Sequence, residues 1–142
     1  MPKRTKPKKR TTAAKVCRLI QLYVKLLETD ENGFGKCCSC GYIKEWAELQ
    51  GGHFQPKGRN YNAAAFEEDN VHIQCVSCNL MLMGNPAGYS AYMLSEYGLE
   101  VMEHIKMLSY KYLETEEIQE LGAVYKQKCK DLAKTKNFEV KI

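Results

Sequence analysis

Two Cys-x-x-Cys pairs, Cys37/Cys40 and Cys75/Cys78, constrain this chain more than any other feature. Each pair places two thiolates on adjacent corners of a tetrahedron, and together they supply a complete Cys₄ set for one zinc ion. The 34 residues between Cys40 and Cys75 exceed what a compact zinc ribbon needs, so something else is built between the pairs. Cys38 lies beside a ligand but lacks the two-residue spacing to Cys40, so it should point away from the metal. Four thiolates leave zinc no open position, which makes this metal structural and lets its binding supply folding energy. The remaining cysteines, Cys17 and Cys129, stand alone in helix-like surroundings and read as small hydrophobes.

Seven cysteines and no apolar run after the first basic residues argue against an exported disulfide scaffold. No stretch of about 18 apolar residues exists, so a membrane span is not expected, and a cytoplasmic protein is. The formal charge of +4 is unevenly distributed. Residues 1–10 carry Lys3, Arg4, Lys6, Lys8, Lys9 and Arg10 and no acid, whereas the remainder holds 15 basic and 17 acidic side chains. Such a Pro-containing arm is expected to be disordered alone and suited to phosphate contacts, with a solubilising tail or localisation signal as the alternative.

Helical spacing of Val16, Leu19, Ile20, Tyr23 and Leu27 predicts a helix over 11–28, capped by Thr11 or Thr12. Asn32-Gly33-Phe34-Gly35 breaks it. A short strand-like stretch around Trp46–Leu49 leads to Gly51-Gly52-His53, and 56–62 form a polar loop containing Lys57 and Arg59, two candidate phosphate contacts. Alternation along 70–74 predicts a half-buried strand. Asn85-Pro86 opens a helical region that runs to Tyr112 with a break at Gly98, and Thr115 opens a last helix striped by Ile118, Leu121, Val124 and Tyr125. His104 reads as structural.

Between and beside the cysteine pairs lie His53, Asn70 and Asn79, in the order Gly-Gly-His, Asp-Asn, Cys-x-x-Cys-Asn. Phosphodiester hydrolysis needs a base for water and neutralisation of phosphate charge. An imidazole such as that of His53 accepts a proton near pH 7, and the amide oxygen of Asn79 can ligate a hard ion such as Mg²⁺ or Mn²⁺. A histidine here can also be structural, but the two glycines before it suggest close approach of backbone to a partner.

The arrangement resembles the HNH, or ββα-metal, nuclease motif. The helix before the first cysteine pair, Cys-x-x-Cys-Gly, Gly-His, Asp69-Asn70-x-His72-x-Gln74-Cys75-x-x-Cys78-Asn79, Gly84-Asn85 and Tyr125-Lys126-Gln127-Lys128 are similar to the NinG (Rap) family of bacteriophage recombination proteins. The resemblance covers most of 14–135 and implies an α+β fold: a zinc-stapled ββα-metal core at 37–84, a helix and linker at 11–36 and a helical region at 85–142. It also implies a metal-dependent DNA endonuclease acting on D-loops and Holliday junctions in the host cytoplasm. His53 would be the general base, Asn79 the ligand of the catalytic ion, and Asn70 a brace bonded to backbone. Gly52 stands where many HNH enzymes carry a second ligand, so the implied metal site resembles the sparser one of His-Cys box nucleases. His72 is a possible helper whose face alternation leaves open. Symmetric junction cutting would need two active sites, which a homodimer supplies; no small-molecule cofactor is expected. The alternatives are a non-catalytic, zinc-dependent junction-binding adaptor, a zinc-ribbon protein–protein module, and a protein acting on RNA.

Overall fold

The computed structural model describes residues 11–142; the basic side chains of the first ten positions lie outside the described residues. The fold is α+β, with four helices and two small antiparallel sheets among the described residues. Helix α1 (Thr12–Glu28) opens at Thr11, whose hydroxyl accepts the Ala14 N–H at 3.2 Å. Strands β1 (Phe34–Lys36) and β2 (Ile43–Glu45) form one hairpin, and β3 (Leu49–His53) and β4 (Val71–Cys75) the other. Helices α2 (Pro86–Glu96), α3 (Leu99–Leu108) and α4 (Thr115–Lys136) follow.

Helix α1 is the centre of the molecule. Val16, Cys17, Ile20 and Val24 bury against Val71, Ala65 and Phe66 on one flank and Tyr125 of α4 on the other. Further along, Leu26 meets Cys129 and Ala133 of α4. Two neighbours on two flanks widen the buried arc beyond one stripe, which corrects the expected core. Leu26 is fully buried, whereas Leu27 is 47 % exposed. Likewise Tyr125, Cys129 and Ala133, in steps of four, form the buried line of α4, and Val124 lies off it in solvent. Helix α4 is capped by Glu114, whose N–H donates to the Glu117 carboxylate at 2.9 Å. At its other end Lys136 Nζ donates to the last carbonyls of α1, Leu26 at 2.6 Å, Leu27 at 3.1 Å and Thr29 at 2.6 Å.

Several expectations shift. Trp46–Glu48 form one 3₁₀ turn, held by the Trp46 N–H donating to Gly33 O, so the strand starts only at Leu49. All five residues of β4 are buried, not half of them. One face of β4 lies under α1 and the other faces Tyr89 and Tyr92 of α2, so even its polar positions are enclosed. Gly98 does separate two helices, at φ +87°, but α3 ends at Leu108 and not at Tyr112. His104 is exposed on α3, and its neighbour Ile105 fills the core. No described helix is long and apolar enough to cross a membrane.

Candidate metal centre and nucleic-acid cleft

The first hairpin ends in the turn Cys37–Cys40, closed by Gly41 N–H donating to Cys37 O at 2.9 Å; Gly41 sits at φ +78°, where a side chain would be strained. The second hairpin ends at Cys75 and enters a five-residue turn, Ser77–Met81, carrying Cys78. The Cys38 N–H donates to Ile73 O at 3.0 Å and docks the two hairpins. The sulfurs of Cys37, Cys40, Cys75 and Cys78 all lie within 4.8 Å of one another, a set that can hold a metal such as zinc. Burial alone raises the Cys37 thiol, but the backbone around Cys75, Cys40 and Ser39 outweighs it and brings the pKa down to about 7. Such donors favour the thiolate that a metal needs. Two more donors reach sulfur: Cys78 N–H to Cys75 Sγ and Asn85 Nδ2 to Cys78 Sγ, each at 3.5 Å. Cys38 is not in the set; its thiol packs toward Ala64, Tyr89 and Met93, and burial raises it to about 12.

His53 closes β3. It pairs with Val71 and shares the face of Gly51 and Leu49, which lies under α1. Its Nε2 lies 3.0 Å from Ala65 O, an atom that can only accept, so Nε2 carries the proton. The Nδ1 lone pair is left as the basic site. Burial, opposed by the Ala65 contact and assisted by Lys57, lowers the imidazole below its usual pKa of 6.5, so it is neutral at pH 7. Cys17 Sγ lies 3.6 Å from both Nε2 and Ala65 O, and burial raises its thiol to about 11, so it packs there as a neutral group.

Asn70 is fully buried and satisfied by backbone. Its Oδ1 accepts Gln55 N–H at 2.7 Å, and Nδ2 donates to Gln55 O at 3.0 Å and Ala64 O at 2.9 Å. These bonds tie the segment leaving β3 to the turn Ala63–Phe66, which presents the carbonyl that holds His53. Asn79, half-buried, donates from Nδ2 to Gln50 Oε1 at 2.8 Å and lies on the Gly52 side of the hairpin. No hydrogen bond links it to His53. His72 is turned away from both: its Nδ1 lies 2.7 Å from Glu28 Oε2, and its Nε2 2.9 Å from Asp69 O.

Between α1 and the edge of β3 runs a cleft of about 500 Å³, whose lining includes Arg18, Gln21, Lys25, Gln50, Lys57 and Asn79. Three cations and no carboxylate line it, so the cleft is positively charged. Lys57 reaches this cleft from the polar loop, its Nζ 5.4 Å from the Tyr61 ring centroid; Arg59 is exposed outside it. Sequence reasoning missed Arg18 and Lys25. Their seven-residue spacing, with Gln21 between, puts them on one face of α1 and was the available signal.

A family model described as Bacteriophage Lambda NinG protein matches residues 2–136. This chain belongs to that family. It is 34% identical over 106 residues to Protein ninG of Escherichia phage lambda, an alignment covering 71% of this chain and 49% of that protein. Protein ninG of Salmonella phage P22 is 34% identical over 101 residues, covering 68% and 47%. Protein ninG of Escherichia phage 933W is 33% identical over 106 residues, covering 71% and 50%. The chain thus spans about half the length of the curated relatives it matches. No solved structure matches it.

Proposed function

We infer that this NinG-family chain is an HNH-type, metal-dependent DNA endonuclease acting on branched DNA in phage recombination, within the host cytoplasm. The observation that carries the reading is the imidazole of His53, held by the Ala65 carbonyl with Nε2 protonated and Nδ1 left as a base. A neutral imidazole with a fixed tautomer is what the removal of a proton from an attacking water requires. Arg18 and Lys25, Lys57 and the arm carrying Lys3, Arg4, Lys6, Lys8, Lys9 and Arg10 would hold phosphates, with Arg59 at the margin. Asn79 Oδ1 fits a hard cation by its chemistry: it is a neutral oxygen at the cleft wall, while its own Nδ2 is engaged by Gln50. When bound, Mg²⁺ or Mn²⁺ would supply charge neutralisation at the phosphate and the leaving oxygen. The cysteine cluster would hold zinc as a staple, fixing Asn79 through its bond to Cys78.

In this mechanism His53 takes the proton of water, and in-line attack leaves a 5′-phosphate and a 3′-hydroxyl. Ala65 and Asn70 orient the base without touching DNA. Two chains would be needed to cut a four-way junction symmetrically, so a homodimer is part of the proposal. One observation favours a second reading, a junction-binding adaptor that cuts nothing: no carboxylate lines the cleft to hold a cation.

The test is cleavage of a labelled four-way junction and a matched linear duplex by wild type and His53→Ala, with Mg²⁺, Mn²⁺ or EDTA. Metal-dependent cutting by wild type alone, stronger on the junction, is the expected result. Binding without cutting by either protein would leave the adaptor.

A further inference from the structure

Gln74, in the middle of β4, is fully buried, yet its Oε1 has no hydrogen-bond partner. A buried amide oxygen left bare carries an uncompensated desolvation cost, so its retention asks for a reason. The amide cannot simply turn over. Nε2 donates to Gly84 O at 2.8 Å, an atom that only accepts, and to Ser39 Oγ at 2.7 Å. The oxygen is therefore directed at the backbone of Gly52, into the volume a side chain there would occupy. A Cβ on Gly52 would overlap Gln74 Oε1 and would stand 3.0 Å from Asn79 Oδ1. Gln74 Oε1 thus takes the place that a Gly52 side chain would fill, and a second amide oxygen, from another element, lies beside it.

Nothing among the described residues donates to the bare oxygen, and the two oxygens share a polarity that repels. Neighbouring neutral oxygens suit a hard, oxygen-seeking divalent cation of the Mg²⁺ or Mn²⁺ type. We propose that Gln74 Oε1 and Asn79 Oδ1 together ligate the catalytic cation, with Gln74 filling the ligand position that Gly52 leaves vacant. This rests on the nuclease reading for the word catalytic, but the cation site itself does not. With two neutral protein ligands, and with Arg18, Lys25 and Lys57 on the cleft that Asn79 also lines, the ion binds weakly until phosphate oxygens join it. The site is thereby loaded by its substrate.

The experiment measures Mn²⁺ binding by electron paramagnetic resonance, on the full chain with its cysteine site zinc-loaded and without DNA. Wild type is compared with Asn79→Asp, and Gln74→Leu and Gly52→Ala are each made in both backgrounds. Zinc content and circular dichroism check the fold. Asn79→Asp, which adds charge, is expected to tighten Mn²⁺ roughly tenfold or more. Gln74→Leu removes the oxygen and Gly52→Ala displaces it, so each should weaken Mn²⁺ by a similar factor in the Asn79→Asp background. Should Gln74→Leu lose zinc, Gly52→Ala carries the comparison. Mn²⁺ binding that tightens in Asn79→Asp but is unchanged by Gln74→Leu and Gly52→Ala in that background overturns the role of Gln74 and leaves the nuclease reading standing. No Mn²⁺ binding even in Asn79→Asp overturns the cation site. The expected binding pattern in a protein that cleaves no DNA supports the site and sinks the nuclease instead.

Discussion

At His53 the hydrogen bond to Ala65 sets a measurable pH behaviour. The imidazole's pKa is lowered by burial, so the neutral form persists below the usual 6.5. The acid limb of kcat/KM for cleavage should accordingly lie below pH 6.5, and His53→Ala should cut slower by a factor on the order of a thousand. Stability has the same sign. The unfolded histidine binds a proton that the folded one resists, so stability is lost as pH falls below 6.5 and continues to fall until the folded pKa is reached. Asn70 makes its contribution without titrating. Asn70→Ala would strand Gln55 N–H and Gln55 O, leave Ala64 O with only the Glu67 N–H, and should cost about 3 kcal/mol in urea unfolding at constant m value. The types and order of these residues were legible from the Gly-Gly-His, Asp-Asn and Cys-x-x-Cys-Asn runs that carry them. What the sequence did not reveal was Gln74. A glutamine in a strand is ordinary until Gly52, diagonal to it across the hairpin, is known to leave its oxygen bare.

Among the elements, α1 was the easiest to foresee and its partners the hardest. Its cap and length follow from Thr11 and an unbroken helical pattern, but the flank that meets α4 depends on a contact between residues about a hundred positions apart. For this reason the pattern points to Leu27 where the structure buries Leu26, while Arg18 and Lys25 face a cleft that β3 closes from beyond the first cysteine pair. The β1–β2 hairpin escaped because Phe34–Lys36 and Ile43–Glu45 are only three residues each and mostly exposed, leaving no alternation to detect. The Lys136 ammonium at the C-terminus of α1 also had no local signal. It satisfies carbonyls that the helix cannot and complements the negative end of the helix dipole. Lys136→Ala should destabilise the fold by about 1 kcal/mol, and Lys136→Arg should recover part of that, read as shifts in the thermal midpoint.

For the whole molecule the cysteine cluster joins two hairpins that otherwise meet through few backbone bonds, among them Cys38 N–H to Ile73 O. The α+β class followed from the family resemblance, whereas the four clustered cysteines were legible from spacing alone, since tetrahedral geometry restricts where thiolates can stand. The cleft was not, because it is formed by α1 and β3 from opposite sides of the first cysteine pair. Removing metal with a chelator should lower the unfolding midpoint and abolish DNA retention together, because the cleft wall at Asn79 follows directly on Cys78. Asn85 has a consequence of its own. One amide bonds the Cys78 sulfur with its nitrogen and, with its oxygen, accepts the Gly88 N–H that opens α2. Occupancy of a metal at the four cysteines would thereby be communicated to a helix that supplies no ligand, with the Gly88 amide as its reporter: its deuterium uptake should quicken on chelation before α2 itself unwinds.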